Sequence, residues 1–140
     1  MALVLDTGVI FAALNADDPA HAACRQLVEG AEETRLVPDP VLVEVDYLLR
    51  KTTQPGTWLA FCQEIERGAF ALFPMTPPLV LEAARVQTKY GDLPLGFVDA
   101  AVFATCVALG ETKVATLDRR HFSVLRAGDG KALDLLPATA

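Results

Sequence analysis

Two kinds of apolar pattern alternate along this chain. Short runs, namely Ala2-Leu3-Val4-Leu5, Arg35-Leu36-Val37, Phe70-Ala71-Leu72-Phe73, Lys113 to Leu117 and Leu133-Asp134-Leu135-Leu136, are too brief for helices and predict strands. Between them, apolar residues recur every three or four positions. That period predicts helices over Thr7 to Leu14, from Asp17-Asp18-Pro19 to about Glu29, from Trp58 to Arg67, from about Leu79 to Tyr90 and over Phe97 to Leu109. The acids at Asp17-Asp18 suit the positive end of a helix dipole, and Gly68 and Gly110 are stop signals. The stretch from Val41 to Leu48 fits either pattern, because Val41, Val43, Val45 and Tyr47 alternate with Leu42, Glu44, Asp46 and Leu48. Asp39 as N-cap, Pro40 in the first turn and Arg50-Lys51 at the far end decide for a helix, with Glu44 sharing a face with Val41 and Leu48.

Strands and helices in alternation predict an α/β sandwich around a mainly parallel sheet. A single domain over residues 1–140 is expected, long enough to bury a substantial core. No apolar run reaches membrane-spanning length, since Leu95 to Leu109 carries Asp99 and runs into Gly110-Glu111. The start lacks the basic segment of a signal peptide, so a cytoplasmic location is expected. Cys24, Cys62 and Cys106 are odd in number and widely spaced, which fits core packing better than disulfides or zinc.

Against this apolar background, single acids stand out. Asp6 closes the first strand, and Glu44 interrupts Val41-Leu42-Val43 and Val45. Asp99 is the one charge between Leu95 and Leu109, and Asp118 follows Val114-Ala115-Thr116-Leu117. A carboxylate is costly to bury alone, so each must be exposed, neutralised or paired with a cation. In a parallel sheet, sites gather at the carboxyl ends of strands, where Asp6 and Asp118 fall; Asp99 lies in a helix first turn that can face the same edge. Few basic residues are close by, so a shared divalent cation is the simplest answer. Each acid also has an ordinary reading: Asp6 and Asp118 as helix caps, Asp99 as a cap or a solvated charge, Glu44 as an exposed helix position.

The net charge of −6, from 12 Lys and Arg against 18 Asp and Glu, weighs against broad electrostatic binding of nucleic-acid backbones. It leaves a metal-dependent nuclease open, because bound cations offset the acids. A haloacid-dehalogenase-type phosphatase needs a second Asp where Gly8 stands, and a phosphoacceptor receiver needs paired acids after strand one and a Lys ending a later strand.

Leu5-Asp6-Thr7 after the first strand, Glu44 in its apolar helix, Val98-Asp99-Ala100-Ala101, and Thr116-Leu117-Asp118-Arg119-Arg120-His121-Phe122 together resemble the PIN domain, and more narrowly the VapC toxins of bacterial toxin–antitoxin pairs. Tyr90 to Ala100 is similar to the matching segment of many VapC-like proteins. The resemblance spans nearly the whole chain. It implies a three-layer α/β/α sandwich, a Mg²⁺- or Mn²⁺-dependent ribonuclease, and Asp6, Glu44, Asp99 and Asp118 as the acidic quartet. It also implies a small antitoxin partner, and a homodimer would cover apolar helix faces. Some relatives carry a further acid where this chain has Gly96; Asp92 is nearby but better suited to a turn.

Hard oxygen ligands suit Mg²⁺ or Mn²⁺ rather than zinc. Two carboxylates about 5 Å apart repel by roughly 3 kcal/mol at an effective dielectric near 20, which a bound cation relieves. Asp6, Asp99 and Asp118 are assigned as direct metal ligands, and Glu44 acts through water as ligand or base. Thr116 is placed to hydrogen-bond a ligand or a bound water. Arg119 and Arg120 are candidates for flanking phosphates, or else a solvated helix start. His121 is read as structural with RNA contact as its other role, and His21 as structural. The rival function is a degenerate PIN module that binds RNA or protein without catalysis. A DNA-directed nuclease is a further option, because nothing in the sequence reads a 2′-hydroxyl.

Overall fold

Leu3, Val4 and Leu5 are consecutive strand residues, so they point to opposite faces of the sheet, and all three are buried. Such a strand needs cover on both sides, and helices provide it. The computed structural model describes residues 1–138. In chain order the elements are β1 (Ala2–Leu5), α1 (Thr7–Leu14), α2 (His21–Gly30), β2 (Thr34–Pro38), α3 (Asp39–Thr52), α4 (Thr57–Glu66), β3 (Ala71–Phe73), α5 (Pro77–Lys89), α6 (Phe97–Leu109), β4 (Lys113–Ala115), α7 (Arg119–Phe122) and β5 (Asp134–Leu136).

The strands form one sheet in the order β3-β2-β1-β4-β5, and every neighbouring pair is parallel. The expected α/β/α sandwich is therefore present. The chain winds outward from β1 through β2 to β3, then returns to the other side of β1 as β4 and β5. Strand order thus reverses between β1 and β4, where Leu5 pairs with Ala115. In parallel sheets a crevice opens at that reversal, outside the carboxyl ends of the strands.

The ambiguous Val41–Leu48 stretch is helical, with Val41, Val45 and Leu49 buried at four-residue spacing. α6 runs through the interior, with every residue from Ala100 to Cys106 buried. Its alanines allow close approach to α5 and the sheet, and Gly110 ends it in a left-handed conformation with φ of 67°. Cys24 and Cys106 are buried and all three cysteines are free thiols. Burial pushes the Cys106 thiol up to about 12. His21 Nδ1 lies 2.8 Å from the Ala12 carbonyl oxygen and links α2 to α1, a structural role as expected. Among the described residues no helix is long and apolar enough to cross a membrane.

Two of the differences from the sequence reading have local reasons. α2 starts at His21 because side chains before it close turns instead: Asn15 Oδ1 accepts the Asp17 N–H at 3.2 Å, and Asp18 Oδ1 accepts the Ala20 N–H at 2.8 Å. Asp39 is the first residue of α3 and not its cap. Its Oδ2 accepts the Met75 N–H at 3.3 Å and ties the start of α3 to the end of β3.

Candidate active site

Asp6 leaves β1 at the strand-order reversal, and its N–H donates to the Ala115 carbonyl at 2.9 Å, extending the β1–β4 ladder. Its side chain caps α1: Oδ1 accepts the Thr7 N–H at 2.8 Å. Oδ2 accepts the Thr116 hydroxyl, also at 2.8 Å. The same Thr116 oxygen accepts the Asp118 N–H at 3.0 Å, so one buried hydroxyl joins the ends of β1 and β4.

Asp118 caps α7. Its Oδ1 accepts the His121 N–H at 3.1 Å, and its Oδ2 lies 2.8 Å from His121 Nδ1. Asp99, in the first turn of α6, brings its Oδ2 to 3.7 Å from the same Nδ1. Asp99, Asp118 and His121 each offer a ligand atom, all within 4.8 Å of one another. Glu44 comes from α3, and the Thr7 hydroxyl donates to its Oε1 at 2.6 Å. Thr7 thus binds Asp6 through its backbone and Glu44 through its side chain.

The electrostatics follow from this crowding. Burial pushes the Asp6 carboxyl up from 3.8 to about 6; the nearby charges of Asp99 and Glu44 add to it, and the bonds from Thr116 and Thr7 oppose it. Asp6 is only 5% exposed. Burial also raises Asp99, helped by the charges of Asp118 and Glu44 and opposed by His121. Among the described residues no Lys or Arg forms an ion pair with any of the four acids. Carboxylate oxygens held together at energetic cost suit a hard divalent cation.

The PIN domain family profile matches residues 3–127. The chain belongs to the PIN-domain family. It is 32% identical over 135 residues to Ribonuclease VapC26 of Mycobacterium tuberculosis, covering 96% of this chain and all of that one. The fold is similar to that of M. tuberculosis VapC20, a Sarcin-Ricin loop cleaving toxin, with TM-score 0.71 at 21% identity over 80% of this chain and 86% of the other. It is also similar to VapBC2 of Rickettsia felis, whose structure was solved on a promoter DNA fragment, with TM-score 0.69 at 15% identity over 96% and 98% of the two chains.

Within this PIN domain, Asp6, Glu44, Asp99 and Asp118 share one electrostatic neighbourhood, although Asp6 is not a member of the tight Asp99–Asp118–His121 group. The cap readings of Asp6 and Asp118 also hold, and the caps fix where those carboxylates point. Thr116 bonds a candidate ligand as expected. Arg119 Nη2 donates to the carbonyls of Leu135 at 3.2 Å and Pro137 at 2.7 Å, which anchors α7 to β5. Arg120 is exposed. Asp92 is exposed and lies outside the cluster. Sequence reasoning missed Thr7 as the partner of Glu44 and undervalued His121. Their signals were present, since Thr7 follows Asp6 directly and His121 lies three residues after Asp118, within reach of a capping side chain.

Proposed function

We propose that this protein is a metal-dependent RNA endonuclease and the toxin of a VapBC-type pair, acting as one PIN-like unit in the cytoplasm. The observation that carries the reading is the convergence of four acids, without a Lys or Arg ion-pair partner among the described residues, near the reversal between β1 and β4. Asp6, Asp99 and Asp118 would hold Mg²⁺ or Mn²⁺. Such an ion supplies a Lewis acid for the phosphodiester, a more acidic bound water and charge stabilisation at the leaving oxygen.

The chain's own groups do the rest. Thr116 and the Thr7 N–H each occupy one lone pair of an Asp6 oxygen, which fixes that carboxylate while leaving both oxygens able to bind. Thr7 fixes Glu44 by its hydroxyl, so that Glu44 can take the proton of the attacking water. The place of Asp99 in the first turn of α6 sets the helix dipole against part of the burial cost of its ionised form. Exposed Arg120, beside the partly buried Arg119, would meet a neighbouring phosphate.

The toxin–antitoxin complexes among its structural relatives, from Rickettsia felis and Klebsiella pneumoniae, support a cognate antitoxin as partner. A homodimer is proposed as well, because large apolar side chains such as Val43, Tyr47 and Leu59 remain exposed. The degenerate binding module is disfavoured by the complete quartet.

Cleavage of total cellular RNA by purified protein, with and without EDTA, tests the reading. RNA cut only when free Mg²⁺ or Mn²⁺ is present supports it. Cleavage that persists in excess EDTA, or none with either metal, overturns it.

A further inference from the structure

His121 has no part in the chemistry above, yet its ring lies against two of the acids, Asp118 after β4 and Asp99 at the start of α6. Its Nδ1 is 2.8 Å from Asp118 Oδ2 and 3.7 Å from Asp99 Oδ2, and its backbone N–H donates to Asp118 Oδ1 at 3.1 Å. An ionised carboxylate has only lone pairs to offer, so Nδ1 must carry the hydrogen in the 2.8 Å contact. A ring nitrogen that carries a hydrogen has no lone pair for a cation. The other nitrogen, Nε2, is buried without a hydrogen-bond partner among the described residues. The fold therefore leaves one imidazole nitrogen unsatisfied, at a cost in stability, while directing the other at the carboxylates.

The ring's position is fixed from beneath. α7 is a single turn, capped by Asp118 and closed by the Ser123 N–H on the Arg119 carbonyl at 3.0 Å. Phe122 is fully buried below it, and Arg119 ties the turn to the carbonyls of Leu135 and Pro137. His121 thus rides on a turn anchored to β5.

We propose that His121 is a positioning residue for the metal site: its Nδ1–H fixes the Asp118 carboxylate and, lying between Asp118 and Asp99, keeps the two together. It acts through Asp118 and does not ligate the ion, in the manner of hydrogen bonds that orient metal ligands from outside the coordination sphere. The proposal rests on the reading of the acidic cluster as a cation site.

The test is Mn²⁺ titration of metal-free protein, followed by loss of the free-ion electron paramagnetic resonance signal. Wild type, His121→Leu and His121→Asn are compared, with circular dichroism to confirm folding. His121→Leu should bind about 10- to 100-fold more weakly, and His121→Asn, whose amide N–H can replace Nδ1–H, should fall within about threefold of wild type. Wild-type affinity in His121→Leu overturns the proposal, and so does an equal loss in both variants.

Pulsed resonance on the wild-type Mn²⁺ complex keeps the test decisive should His121→Leu fail to fold. Absence of a directly coordinated nitrogen supports the positioning role, and its presence makes the ring a ligand and overturns it. No Mn²⁺ binding by wild type overturns the cation-site reading itself, an outcome distinct from any difference between variants.

Discussion

Acids on the helix flanks and acids at the carboxyl edge of the sheet have opposite surroundings. Glu29, Asp46, Glu64 and Glu82 each meet an arginine one turn away, at 2.8, 2.5, 2.7 and 2.5 Å, with both partners reaching solvent. Asp6, Glu44, Asp99 and Asp118 meet hydroxyls, a histidine and one another. On the flanks the charges are nearly neutral for stability, because water already solvates them. At the edge, burial and mutual repulsion raise Asp6 and Asp99, so their ionised forms are held at a cost. The same residue types therefore contribute to solubility in one region and, in the proposed reading, form a cation site in the other.

The largest expected effect is catalytic. Asp6→Asn or Asp99→Asn should slow RNA cleavage by ~10²- to 10⁴-fold while circular dichroism shows an intact fold, because the ion's contribution amounts to several kcal/mol of transition-state stabilisation. Unchanged cleavage by both variants would erase the distinction between edge and flank.

Next in size is the response to metal. Adding Mg²⁺ or Mn²⁺ at about 100 times its dissociation constant should stabilise the protein by about 2.7 kcal/mol in thermal unfolding, and Asp6→Asn should remove most of that gain.

A similar or slightly smaller effect is expected without metal. Asp6 has a pKa of about 6 when folded against 3.8 otherwise, so the unfolded chain loses this proton first as pH rises. Its contribution to stability is then fully present below pH ~4 and declines until pH ~6, for a total of at most about 3 kcal/mol. Asp6→Asn should stabilise the metal-free protein by about 2 kcal/mol at pH 7.5 and lose that advantage below pH ~4. Chemical denaturation across that range reads it directly, and a destabilising effect at pH 7.5 would contradict the assigned cost.

The smallest effect belongs to the flanks. Arg25→Ala should alter stability by ~0.5 kcal/mol or less and should not change cleavage.

Much of this was legible in the chain. The period of the apolar residues located the strands and helices, and acids standing alone in apolar runs picked out the quartet because burial of a single charge is so unfavourable. Strand ends were enough to put Asp6 and Asp118 at one edge, since a parallel sheet aligns its carboxyl ends. What escaped depends on contacts between distant elements. That Thr7 reaches Glu44 follows from α1 packing on α3, and that Arg119 is committed to Leu135 and Pro137 follows from where β5 returns. His121 was hard to assign because one imidazole serves equally well as a packed ring or as a carboxylate partner. The start of α2 differs because Asn15 and Asp18 close turns with their side chains, and an Asp suits a turn as readily as a helix entrance.

Anomalous diffraction from crystals of the protein soaked in Mn²⁺ tests the central claim most directly. The account predicts a peak within coordination distance of the Asp6 and Asp99 carboxylates, at the reversal between β1 and β4. A peak elsewhere, or none there in protein that cleaves RNA with Mn²⁺, would contradict it.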